Sequence, residues 1–426
     1  MSKRTLLALL VLALSAASVF AEALGVKELV SAGRENNLDI QKARRTLQDA
    51  KEALPWKSEL PSTQAKLSGG YDSSGRLSAQ AQVSVPIIPQ VSVSANVSIT
   101  GSAGASVSVS PFAASRTRYK EEASYETAEA QLGYQTAKLG YDIESAVYDL
   151  LQARANVNIT KARLDLQTQK AEIASQLYAM GELTFTDFQS AQSALISARQ
   201  SAFDAERSVL NARSQLYRLL GPESGEPDVK EVSVDELTAL IAARDAEIAG
   251  KDPAAATSLT IRQAEINLES LRAELKVTPA YRPSLGLSGQ LSYNPDSPGT
   301  KVSASGSVSF SFSPSDIKSE DRQSVVDSLS VAERQLELER TAQRLQYSVL
   351  LQALEVSRQV LESAKGELKQ AEATLESATL LLAQGQRTTV EVEDARISVE
   401  SAKQRLFQAS TGVLEAQAQI LLSYVV

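Results

Sequence analysis

Histidine and cysteine are both absent from the 426 residues, which removes most of the chemistry that side chains perform. Without imidazole or thiol, zinc centres of the usual kind, redox dithiols, Cys-His dyads and Ser-His-Asp triads are unavailable. Carboxylates, Lys and Tyr remain. The net charge of −8, from 43 basic and 51 acidic residues, argues against a nucleic-acid partner, which would call for a basic stripe. The polar residues that do fall into a pattern lie at two glycine turns. One reads Gly181-Glu-Leu-Thr184-Phe-Thr-Asp187 and the other Gly385-Gln-Arg387-Thr388-Thr-Val-Glu391, 204 positions apart. Glycine supplies the left-handed residue that ends a helix, and Thr184 and Thr388 are suited to cap the next one. Arg387, Glu391 and Asp394 follow in steps of four and three, so they share one helix face.

Such turns need helices on both sides, and the placement of proline allows them. All 13 prolines fall at or between Pro55 and Pro111 or between Pro222 and Pro314, so residues 112–221 and 315–426 contain none. Proline breaks helix interiors, and both proline-free stretches carry a heptad seam. Leu354, Leu361, Leu368, Leu375 and Leu382 recur every seventh residue, with Ala364, Ala371 and Ala378 three places after three of them. Val399, Leu406, Val413 and Ile420 alternate with Ala395, Ala402, Ala409 and Ala416. In the first stretch Ile143, Leu150, Val157 and Leu164 keep the step, and Leu195, Ala202, Val209 and Leu216 alternate with Ala191, Ala198, Ala205 and Ala212. This is an a/d seam, and the constant offset of 204 makes it an internal duplication. Each half is a helical hairpin. An arm from Ala113 to Met180 would be about 100 Å long at the helical rise, which no compact cleft-bearing domain accommodates. A glycosidase with paired carboxylates, or any other enzyme, is therefore not expected, and no cofactor or metal is implied.

Before each hairpin the period changes to two. Val91, Val93, Ala95, Val97 and Ile99 alternate with Ser or Asn, and Ala105, Val107 and Val109 continue the pattern. Leu285, Leu287, Gly289, Leu291 and Tyr293 precede a Pro-Asp-Ser-Pro-Gly turn, and Val302, Ala304, Gly306, Val308, Phe310 and Phe312 alternate with serines. These read as half-buried strands, of a length that suits a tilted strand in a bilayer. A soluble antiparallel sheet would alternate in the same way. Two features favour the membrane: polar faces made mostly of uncharged Ser, and an N-terminus with the form of a Sec signal peptide. There Lys3 and Arg4 precede an apolar run from Leu6 to Phe20, with cleavage expected after Ala21. No second apolar stretch is long enough for a spanning helix. Trp56, Tyr71, Phe112, Tyr293, Phe310 and Phe312 flank or end the strands, where an interfacial belt would sit.

The halves differ in one respect. Pro61 to Pro111 spans 19 residues more than Pro283 to Pro314, so residues 77–99 form an added hairpin, longer strands or a surface loop. Two strand hairpins would give about four strands per chain, whereas a closed membrane barrel needs at least eight. An open sheet in lipid leaves unpaired backbone groups, so copies must pool their strands by symmetry. Counting does not choose between an eight-stranded dimer and a twelve-stranded trimer.

The duplicated strand-and-helix plan, the Asn36-Asn37-Leu38 run before a helix, and the two turns at equal offset resemble the TolC-like outer membrane efflux family. The segments Gly181 to Ala191 and Gly385 to Ala395 look like that family's two periplasmic tips. The resemblance implies a mainly α chain with membrane β: a signal peptide (1–21); a first repeat (22–221) with a helix, strands in 64–112 and a helical hairpin in 113–220; an equatorial region (222–255); and a second repeat (256–426) with strands in 284–314 and a helical hairpin in 316–424. It further implies a homotrimer with a twelve-stranded barrel in outer membrane lipid, continued by a periplasmic α-helical tunnel. The function implied is a passive exit duct of a tripartite efflux or type I secretion system, working with a periplasmic adaptor and an inner-membrane pump. By the same resemblance Glu391 and Asp394 fall at an acidic constriction, with Arg387 and Asp187 pairing it in the closed state. Gly181, Thr184, Gly385 and Thr388 fall at the adaptor-contacting tips. The family's tyrosine five residues before the arginine is Leu382 here.

Two other readings compete. A periplasmic adaptor also joins strands to a coiled-coil hairpin but would have one hairpin per chain. A secreted structural coiled coil accounts for the heptads but not for the Ser-alternating strands.

Overall fold

The computed structural model describes residues 25–54, 64–71, 77–88, 91–98, 103–109, 116–222, 229–253, 256–278, 284–293, 302–311 and 320–425. The signal-peptide segment and the aromatic residues Trp56, Phe112 and Phe312 lie outside them. In chain order the elements are α1 (Val26–Asn36), α2 (Leu38–Ala53), β1 (Gln64–Tyr71), β2 (Leu77–Ile88), β3 (Val91–Ser98), β4 (Ala103–Val109), α3 (Arg116–Ala179), α4 (Phe185–Leu220), α5 (Val234–Ala249), α6 (Leu259–Val277), β5 (Ser284–Tyr293), β6 (Val302–Ser311), α7 (Glu320–Ala383) and α8 (Thr389–Leu422). The two longest helices, α3 and α7, have 64 residues each, as their proline-free seams require. Contacts divide the chain into two compact units.

The first unit comprises Met1–Arg44, Gln131–Leu259 and Ala342–Val426. Its helices meet along the heptad stripes. On α8 the residues Ala395, Val399, Ala402, Leu406, Ala409, Val413, Ala416 and Ile420 are all buried, so the spacing of seven does lay one continuous stripe against neighbours. The largest apolar cluster gathers Leu29 of α1, Ile143, Val147 and Leu150 of α3, Leu216 and Leu220 of α4, Leu237 of α5, and Val413 and Ile420 of α8. Burying each such side chain stabilises by about 1.5–3 kcal/mol. Asn37 ties three elements together. Its Oδ1 accepts from the Asp39 and Ile40 amides (2.9 and 3.2 Å), capping α2, while its Nδ2 donates to the Leu219 carbonyl (2.8 Å) at the end of α4. Gly221 follows with φ of 91°, and a Cβ there would stand 2.3 Å from the Asn36 carbonyl oxygen.

Helix α5, inside the segment read as an equatorial linker, is fastened by polar bonds. Arg244 pairs with Glu144 of α3, both side chains 11 % exposed, and also donates to the Leu414 carbonyl of α8 at 3.1 Å. The Tyr148 hydroxyl donates to the second oxygen of Glu144 at 2.8 Å. Burial, with Glu144 beside it, pushes the Tyr148 phenol above its ordinary range. Gln417 of α8, fully buried, donates to the Ile241 carbonyl (3.1 Å) and to Asp245 (2.6 Å), and Asp245 also receives Arg358 of α7 at 2.7 Å. The chain's end joins the same region, with the Thr257 amide donating to the Ser423 carbonyl (2.7 Å) and the Tyr424 hydroxyl to Tyr347 (2.9 Å).

The second unit comprises Arg45–Ala130 and Thr260–Thr341. Ile261 and Leu268 of α6 pack on Ala332 and Leu336 of α7, flanked by the ion pairs Arg272–Glu333 (3.0 Å) and Arg340–Glu265 (2.9 Å). The sheet runs β1-β2-β3-β4-β5-β6, every neighbouring pair antiparallel. Here the strand count corrects the expectation. Among the described residues the sheet has six strands rather than about four, because β2 and β3 lie between β1 and β4. Pro86 and Pro89 interrupt the period of two that would have announced them, and the register shifts between Pro86 and Ile88, as a bulge does. The twelve-stranded trimer that the resemblance implies takes four strands from each chain, two fewer than this sheet has.

Candidate functional site at the two helical tips

The turns joining α3 to α4 and α7 to α8 are built alike. At the first, the Gly181 amide donates to the Tyr178 carbonyl (3.0 Å) and the Glu182 amide to the Leu177 carbonyl (2.9 Å). At the second, the Gly385 amide donates to Leu382 and the Gln386 amide to Leu381, both at 2.9 Å. This is the Schellman pattern, with Gly181 and Gly385 at φ of 80° and 75°, where a side chain would be strained. Three residues after each glycine the chain enters a capped helix. Thr184 Oγ1 accepts from the Asp187 amide (3.2 Å) and donates to the Asp187 carboxylate (2.7 Å). Thr388 Oγ1 accepts from the Glu391 amide (3.4 Å), and the Glu391 carboxylate takes the Thr388 amide (2.8 Å) and hydroxyl (3.1 Å). The second tip is therefore a reciprocal capping box, while the shorter Asp187 closes only the hydroxyl bond.

The eight residues singled out in the sequence are brought together in two groups, and all of them are exposed. Asp187 and Glu391 occupy equivalent capping positions. The Thr388 amide, then its hydroxyl, and then the nearby charge of Arg387 hold the Glu391 carboxyl below its usual range. Asp394 pairs with Lys170 of α3 at 3.1 Å, an exposed bridge worth about 0–1 kcal/mol. Among the described residues, Arg387 and Asp187 form no ion pair with each other.

Lys170 escaped the sequence reading because its partner is 224 residues away, and only the relative register of two helices reveals it. An aromatic group was also missed. Tyr178 stacks on Phe188, with centroids 5.0 Å apart and 12° between planes, and lies 6.1 Å from Phe185. Tyr178, Met180 and Phe185 are 42, 63 and 61 % exposed. The signal was present as Tyr-x-Met-Gly and Phe-x-x-Phe around the first turn, which the second tip replaces with Leu382, Thr389 and Val392. Below the tips, Ile159 and Leu166 of α3 pack on Ile397 of α8, and Ala378 of α7 packs on Val392 and Ala395 of α8, so α3 and α7 both rest on α8.

The outer membrane efflux protein family matches residues 29–222, which span the first strands and the first tip. Solved structures extend the likeness to almost the whole chain. CusC, from a study of transmembrane channel formation, is 16 % identical with a TM-score of 0.64, covering 95 % of both chains. The CmeC outer membrane channel of Campylobacter jejuni is 14 % identical with a TM-score of 0.64, covering 94 % of this chain and 85 % of its own. The fold is that of the TolC-like outer membrane efflux proteins. The outer membrane protein VceC of Vibrio cholerae shares this fold at 14 % identity and a TM-score of 0.62, covering 94 % of this chain and 96 % of its own. Among curated proteins none matches by sequence. No helix among the described residues is long and apolar enough to cross a membrane.

Proposed function

We propose that the chain is an outer membrane exit duct of a tripartite efflux or type I secretion system, a passive conduit gated at its periplasmic helical tips. The observation that carries this reading is the combination, in one TolC-like chain, of a sheet whose β1 and β6 each pair on one side only among the described residues with two helical hairpins ending in matched tips. Neither rival reading has both. Three copies would close the sheet in outer membrane lipid and surround a water-filled path with their helices. A periplasmic adaptor would dock at Gly181, Thr184, Gly385 and Thr388, with the exposed Tyr178, Met180 and Phe185 offering apolar area. An inner-membrane pump would supply the energy.

Within one chain Asp187 and Glu391 are already engaged in caps and Asp394 in a bridge to Lys170. Their gating role therefore lies between copies, where Arg387 of one subunit could meet Asp187 of another and Glu391 and Asp394 would repeat as acidic rings. The test is reconstitution of the purified protein in planar bilayers. Discrete single-channel currents and trimers in detergent extracts of the outer membrane are expected; a protein that stays monomeric and adds no conductance would refute the duct.

A further inference from the structure

We infer that the β2–β3 hairpin is part of the membrane wall, so that three copies close an eighteen-stranded barrel instead of a twelve-stranded one. The inference rests on the three-copy duct proposed above. Its first support is the sheet order. The hairpin lies between β1 and β4, pairing with both, and so separates two strands that would otherwise be neighbours.

The second support is the register, which carries unbroken rows across all six strands. Gln64, Ser84, Ser94, Ser106, Gln290 and Ser305 are successive partners, forming one polar row. The adjacent row is Ala65, Val83, Ala95, Ala105, Leu291 and Ala304. Residues opposite one another in a ladder share a face, and a slip of one position would exchange the faces. The hairpin therefore repeats the two-faced pattern of the strands around it, as a wall with lipid on one side and water on the other requires. Lys66 is the only charged residue in the six strands, and β2 and β3 have none, where a charge facing lipid would cost about 2–4 kcal/mol at mid-bilayer.

Six strands per copy are also compatible with closure, as four would be. Among the described residues β1 and β6 each pair on one side only, and open edges in hydrocarbon cost several kcal/mol per backbone group. With an even number of alternating strands, β6 of one copy runs antiparallel to β1 of the next, so the ring closes with the same ladder throughout. At about 4.8 Å between strands and a tilt of about 40°, twelve strands make a barrel about 24 Å across and eighteen about 36 Å.

Cryo-electron microscopy of the full-length protein in lipid nanodiscs tests this, alongside a variant lacking residues 77–98, which would leave β1 joined to β4 by a loop in the correct direction. Eighteen strands are expected in the full chain, and a barrel about one third narrower in the variant. Where the variant fails to assemble, cysteine pairs introduced into the cysteine-free chain decide. Ser94→Cys with Ser106→Cys should form a disulfide in the assembled trimer, and Gln64→Cys with Ser106→Cys should not. A trimer with twelve strands and the hairpin outside the wall, a two-copy ring of twelve, or a Gln64–Ser106 crosslink would overturn the inference while leaving the duct intact. A particle with no membrane ring would remove the duct reading and this inference with it.

Discussion

Replacing Glu144 by Ala removes the carboxylate that Arg244 and Tyr148 share. Arg244 is then left with a side chain 11 % exposed and Tyr148, 3 % exposed, with a hydroxyl that has lost its acceptor. Breaking a buried ion pair from one side costs about 3–5 kcal/mol, and orphaning a buried hydroxyl about 1–3 kcal/mol. Arg244 keeps the Leu414 carbonyl at 3.1 Å, which places the sum in the lower part of the combined range, about 4 kcal/mol. The loss should appear where the pair acts, in the docking of α5. Hydrogen exchange in the full-length protein should therefore accelerate across Val234–Ala249 by about a thousandfold, at 1.4 kcal/mol per factor of ten, while the α3–α8 seam near Ile159 and Ile397 is little changed. Glu144→Leu combined with Arg244→Met, which removes both charges and keeps apolar volume, should recover most of the protection. An acceleration below tenfold in the single variant, or no recovery in the double, would refute the account of α5 as held by this pair.

Other outcomes follow from the same geometry. Arg387→Ala with Asp187→Ala should raise the single-channel current of the reconstituted protein, and an unchanged current would count against a latch between copies. Glu391→Ala with Asp394→Ala should reduce block by multivalent cations applied from the periplasmic side; equal block would dispose of the acidic rings. Because the Glu391 carboxyl is held below its ordinary range in the folded chain, its contribution is present above the unfolded value and is lost as pH falls through the folded one. Exchange in the first turn of α8 should accordingly quicken in acid, and Glu391→Gln should flatten that response. Gly221→Ala places a Cβ against the Asn36 carbonyl at positive φ and should destabilise by about 1–3 kcal/mol, read as loss of α1 protection.

The helical part was legible because its signals are local and repeated. Seven-residue spacing sets which face of α8 is buried, and the Gly-to-Thr step of three at each turn foretells both caps. The offset of 204 then makes each tip a check on the other. The sheet was only half legible. Strands β4, β5 and β6 alternate cleanly, but Pro86, Ile87, Ile88 and Pro89 break the period where β2 ends, so residues 77–99 admitted three readings and the strand number came out low. Contacts across helices, such as Lys170 with Asp394 and Arg244 with Glu144, depend on how two long helices are shifted along each other. No spacing within either helix encodes that shift.

The two tips are not capped alike. The longer carboxylate of Glu391 reaches back to the Thr388 amide, whereas Asp187 stops at the Thr184 hydroxyl, so one hinge is bolted twice and its counterpart once. In the three-copy duct proposed above, singly and doubly fastened caps would alternate around the aperture. If the cap bonds govern the opening, it would begin as a triangular yielding at the three Asp187 tips rather than as an even widening.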